Sequence, residues 1–130
     1  DKESVKRENE KNEEILQFVK DSIGDAAHAV RFTKGLGDHP VCLTTEGALS
    51  LGMEKVLNRM PGEHGAKAQT VLEINMDHPI AGKIKALYVT DKDKLAEVAK
   101  ILWAQACLIS GVAVENAAEV AEAVCRHLAE

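Results

Sequence analysis

Aromatic side chains are scarce: one Trp, one Tyr and two Phe make up 3% of 130 residues. A core must therefore be built from Leu, Ile, Val, Ala and Met. Basic clusters are missing beyond a Lys/Glu mixture near the start, and the net charge is -5. That excludes a nucleic-acid partner, because phosphate binding needs a concentrated positive face. No apolar run approaches the roughly 20 residues that span a bilayer, and no signal peptide opens the chain. The three cysteines, Cys42, Cys107 and Cys125, are odd in number, widely spaced and form no CxxC pair. They read as buried free thiols in a reducing, cytoplasmic compartment, with a disulfide or a reactive thiol as the lesser reading. Catalytic signatures are absent too: no GxSxG, HExxH, Walker A or dinucleotide-binding glycine pattern occurs. Gly35-Leu36-Gly37-Asp38 is too short to cradle a phosphate, and no nucleophile has a local activator. No catalytic, cofactor-binding or metal residue is assigned on this ground.

What is present suits one α+β domain, with 45% hydrophobic residues and a length sufficient to bury a core. Residues 1–14 are almost all polar, a charged lead-in from an upstream domain that is either a solvated helix or disordered. From Ile15 the pattern is helical, with Ile15, Phe18, Val19 and Ile23 on one face and Gly24 as the stop. Strands are expected at Ala27 to Thr33, Val41 to Thr44 and Thr70 to Asn75. Asp77 is the expected N-cap of a helix whose buried face is Ile80, Ile84, Leu87 and Tyr88, with Pro79 tolerated in its first turn. Thr90 with Asp93 resembles a capping box opening a long helix that Gly111 ends, and Asn116 with Glu119 offers a weaker pair before a final helix.

The last two helices carry much apolar and little charged surface. Leu95, Val98, Leu102, Gln105 and Ile109 follow 3-4-3-4 spacing, and the final helix presents Val120, Val124 and Leu128. Such a hairpin either packs wholly on its own sheet or covers the remainder with a second copy, giving a four-helix arrangement. An amphipathic helix is expected from Thr45 to Met60, stopped by Pro61-Gly62. Leu49, Met53, Val56, Leu57 and Met60 share its face at i, i+4, i+7, i+8 and i+11. That face is either core or a flexible, Met-bearing surface for promiscuous binding.

Three ordered phrases tie these elements to a known family. Pro40-Val41-Cys42-Leu43, the run from Leu49 to Pro61, and Leu72-Glu73-Ile74-Asn75 followed by Asp77-His78-Pro79-Ile80 resemble the C-terminal domain of the ninety-kilodalton heat-shock chaperone family, in its bacterial HtpG form. The resemblance runs from about Glu10 to the end. It implies a small mixed three-stranded sheet packed with helices over residues 15–130, ending in a hairpin that forms a four-helix bundle with a second protomer. It further implies a homodimer and a client-contacting helix at Leu49, Met53, Val56, Leu57 and Met60. ATP and Mg2+ would be bound by another domain of the parent chaperone, so no catalysis is expected here. The chain ends Arg126-His127-Leu128-Ala129-Glu130, not in the Met-Glu-Glu-Val-Asp tail that docks tetratricopeptide-repeat co-chaperones, so no such partner is expected. Met76, Ala104 and Asn116-Ala117 depart from the family's usual residues, which bears on local stability. The alternative from another class is a small metal-binding or enzymatic domain using Asp38, His39, Asp77 and His78, the two Asp-His-Pro phrases.

Overall fold

Strand alternation sets the centre of the molecule. In a computed structural model, residues 2–46, 69–114 and 116–130 are described. Strands β1 (Ala29–Thr33), β2 (Val41–Glu46) and β3 (Gln69–Asn75) form a sheet in the order β1-β3-β2. β1 runs parallel and β2 antiparallel to β3. The register aligns Val30 with Leu72 and Leu43, and Phe32 with Ile74 and Val41. These six side chains give one sheet face to the hydrophobic core. Fully burying a side chain of this size stabilises by roughly 1.5–3 kcal/mol. The opposite face carries Arg31, Glu73 and Cys42 in one row, where Arg31 Nε donates to Glu73 Oε2 at 3.0 Å. Burial, with the Glu73 carboxylate beside it, pushes the Cys42 thiol up from its ordinary value, so it stays protonated and inert.

The helices are α1 (Lys2–Lys11), α2 (Glu13–Ile23), α3 (Pro79–Thr90), α4 (Lys92–Ser110) and α5 (Ala117–Leu128). Leu16 and Val19 of α2, Ala81, Ile84 and Leu87 of α3, and Leu95, Ala99 and Leu102 of α4 close over the sheet. Gly24, at φ 94°, returns its N–H to Lys20 O at 2.9 Å and ends α2. Gly111, at φ 72°, ends α4 in a Schellman turn: its N–H reaches Leu108 O, and Val112 N–H reaches Cys107 O at 2.8 Å.

The charged lead-in takes the helical one of its two expected forms, although α1 buries no residue. It is held by its neighbours: Asn9 Oδ1 accepts from Phe32 N–H at 2.7 Å while Asn9 Nδ2 donates to Phe32 O at 3.1 Å. Glu8 pairs with Lys85 of α3. The cap of α3 is His78, whose Nδ1 accepts from Ile80 N–H at 3.0 Å, rather than Asp77. Asp91, not Thr90, caps α4, accepting from Lys94 N–H at 3.1 Å. Thr90 belongs to the end of α3, where its hydroxyl bonds Ala86 O at 2.9 Å. Asn116 precedes α5 without a side-chain cap bond.

Candidate interaction surfaces

Helix α4 has three distinct faces. Leu95, Ala99, Leu102 and Ala106, at i, i+4, i+7 and i+11, enter the core against α2 and the sheet. Asp93, Ala96, Glu97 and Lys100 line a cleft of about 210 Å³, shared with Glu119, Val120, Ala123 and Arg126 of α5. The third face holds Gln105, Leu108 and Ile109, all exposed.

The hairpin is held by little apolar contact and much charge. Ala104, Val120 and Ala123 are buried yet stand apart from the central core. Around them, Lys94 meets Glu130, Arg126 Nη2 meets Glu97 Oε1 at 3.0 Å, and Lys100 meets Glu119 at 3.5 Å. His127 Nε2 also lies 3.5 Å from Glu97 Oε1. The hydrogen bond from Lys94 holds the Glu130 carboxyl below the usual range, and the same contact raises Lys94. These are exposed pairs, so each contributes modestly.

The eight side chains anticipated for self-association are therefore dispersed. Leu95 and Leu102 lie in the protomer's own core, with Val98 packed at its edge. Val120 is buried in the hairpin contact and Val124 is half-buried. Gln105, Ile109 and Leu128 face outward, Leu128 at 79% exposure. Leu108, 64% exposed, joins that surface; its place beside Ile109, just before the Gly111 stop, was the signal available for it. The anticipated client positions Leu49, Met53, Val56, Leu57 and Met60 lie outside the described residues.

The Asp-His-Pro phrases find an architectural use. His78 caps α3, and the loop containing His39 is tied down by Asn75, whose Nδ2 donates to Gly37 O and His39 O, both at 3.0 Å. Among the described residues no three His, Cys, Asp or Glu side chains group to hold a metal, which removes the support for the metal-site alternative.

A family model described as "Hsp90 protein" matches residues 1–130. This chain belongs to the Hsp90 family. Curated relatives are chaperone proteins HtpG. That of Clostridium perfringens (strain 13) is 39% identical over 124 residues, 95% of this chain and 20% of the relative. That of Clostridium acetobutylicum is 40% identical over 124 residues, again 95% of this chain. One from Clostridium botulinum (strain Langeland) is 40% identical over 127 residues, 97% of this chain. The bacterial HtpG type anticipated from the sequence is thus supported. The chain spans about a fifth of the length of these relatives. Among the described residues of this Hsp90-family segment, no helix is long and apolar enough to cross a membrane.

Proposed function

We propose that this Hsp90-family segment joins two protomers through the outward face of its terminal hairpin and contributes a client-contacting helix to an ATP-dependent cytoplasmic chaperone. The observation that carries the dimerisation reading is the third face of α4: Leu108 and Ile109 stand adjacent and exposed at 64% and 50%, on a helix whose other two faces are already covered. A second copy related by a two-fold axis covers such a face and is covered in return. Catalysis is assigned elsewhere in the parent protein, where ATP and Mg2+ would bind; the segment itself serves assembly and client contact.

Leu108→Glu with Ile109→Glu tests the interface without entering the core. Light scattering of the 14.1 kDa chain should give about twice that mass. The double variant should give a folded monomer with an unchanged circular dichroism spectrum. A wild-type monomer at every concentration, or a stable dimer in the variant, rejects the interface. Leu102→Glu is unsuitable, since Leu102 is 6% exposed within the protomer's own core and its replacement tests folding. For the client helix, Met53→Ser with Leu57→Ser should weaken capture of an unfolded protein while the melting temperature barely moves; a collapse in stability would show that face to be core.

A further inference from the structure

Burial along the first two helices begins at Asn12. α1 buries none of its 10 residues, whereas α2 sends Leu16 and Val19 into the core. The two helices nearly continue one another: Asn12 N–H reaches Glu8 O at 3.2 Å, and Leu16 N–H reaches Asn12 O at 3.0 Å. Asn12 itself leaves helical geometry, at φ -115° and ψ 24°. Its side chain is 6% exposed for the whole residue, with Nδ2 donating to Glu8 O at 2.8 Å and to Glu8 Oε1 at 3.0 Å. A side chain set into the backbone ladder in this way kinks a helix. Beyond the kink α1 is fastened by Asn9 and Glu8, and both contacts converge on Phe32. Asn9 Oδ1 accepts from Phe32 N–H at 2.7 Å, while Asn9 Nδ2 donates to Phe32 O at 3.1 Å and to Val5 O at 3.0 Å. Glu8 pairs with Lys85 of α3, whose Nζ lies 5.4 Å from the centroid of the Phe32 ring. Neutral hydrogen bonds and a part-exposed ion pair each contribute little net stability, and a helix of this length is marginal without support.

We propose that α1 is a latched arm: it releases from β1 and α3 as one unit about Asn12, with Asn9 on Phe32 and Glu8 on Lys85 as coupled catches, while the sheet, α2 and the hairpin stay folded. The coupling is physical. Lys85 meets both the Glu8 carboxylate and the Phe32 ring, so losing the Glu8 contact loosens the seat on which Asn9 rests. Fraying of a helix end is different, since it loosens residues in turn from the terminus inward and reaches Asn9 late. An arm built this way can change direction without disturbing the core. The device depends on neither the dimer nor the client reading, because its contacts lie on β1, α2 and α3.

Amide hydrogen exchange of the 130-residue chain, followed by NMR, tests the latch. Phe32 N–H is held by the Asn9 side chain and is buried with its residue, so it exchanges when α1 lifts. Phe32 should show the same opening constant as Arg7, Glu8 and Asn9, and exchange at least about a hundredfold faster than Ile74 in the central strand. Asn9→Ala should speed exchange of the remaining α1 amides on the order of tenfold. Lys85→Met keeps a stem over Phe32 and removes the charge. It should speed both Phe32 and α1 by about two- to fivefold, with Ile74 unchanged in either variant. The Lys85 side chain is 38% exposed, so this second variant folds whatever the fate of Asn9→Ala. A smooth gradient of exchange from Lys2 to Lys11 would show fraying instead. Phe32 exchanging as slowly as Ile74 would show that α1 opens only with the whole fold. Phe32 unmoved by Lys85→Met would show that the catches are independent. Any one of these three results overturns the latch.

Discussion

Asn75 shows how one side chain can fix a loop. It is 2% exposed, donates to Gly37 O and His39 O, and accepts from Asp77 N–H at 3.0 Å. Gly35 and Gly37 adopt φ of 88° and 62° in that loop, so its path depends on residues that tolerate the left-handed region. Asn75→Ala would remove both bonds to the loop carbonyls and cost about 1–3 kcal/mol, since each such hydrogen bond contributes roughly 0.5–1.5. Urea unfolding should show a lower midpoint at unchanged slope; a shift below half a kcal/mol would mean that water replaces the amide. Glu8 makes a different prediction. The hydrogen bond from Lys85 holds its carboxyl below the ordinary value of about 4.3. A lowered carboxylate contributes stability that is present above its unfolded pKa and is lost as pH falls through the lower folded value. Glu8→Gln should therefore be less stable than wild type at neutral pH, with the gap closing on acidification below that window. A gap that stays constant with pH would show the loss to be steric. Neither role was legible in the sequence: an Asn at the end of a strand and a Glu in a polar run look like many others until partners distant in sequence are placed.

At the scale of elements, periodicity carried the reading well and capping carried it poorly. The faces of α2 and α3 and the three strands follow from apolar spacing, because burial of Val19, Ile84 and Leu72 rewards only one register. β1 is two residues shorter than expected and β2 two longer, since pairing with β3 sets where a ladder stops. The 3-4 stripe on α4 was harder to read. Apolar residues occur on more than one of its faces, so a count of spacings merges Leu95 and Leu102, which enter the core, with Ile109, which faces solvent. The α4–α5 contact has its own testable character. With only Val120 and Ala123 of α5 buried, its charged pairs matter collectively. Glu97→Gln loses its ion pair with Arg126 and should cost about 0.2–1 kcal/mol, less at high salt. Native-state hydrogen exchange should show faster opening confined to α5. Equal loss of protection across the sheet would mean the hairpin and core open as one unit.

For the whole molecule, the question is whether folding and association are one equilibrium. If the hairpin face pairs as proposed, unfolding separates two chains, and stability must depend on protomer concentration. Each tenfold rise in concentration adds about 1.4 kcal/mol per dimer. At roughly 2–4 °C per kcal/mol for an unfolding unit of this size, the melting temperature should climb by about 3–5 °C per tenfold. Leu108→Glu with Ile109→Glu should flatten that dependence and melt at the monomer's own temperature, because the substituted side chains are exposed in the protomer and leave its core intact. A wild-type melting temperature that is flat across a wide dilution series would show that Leu95, Ala99 and Leu102, already buried within one protomer, suffice for the fold, and would leave the exposed end of α4 in search of a different partner.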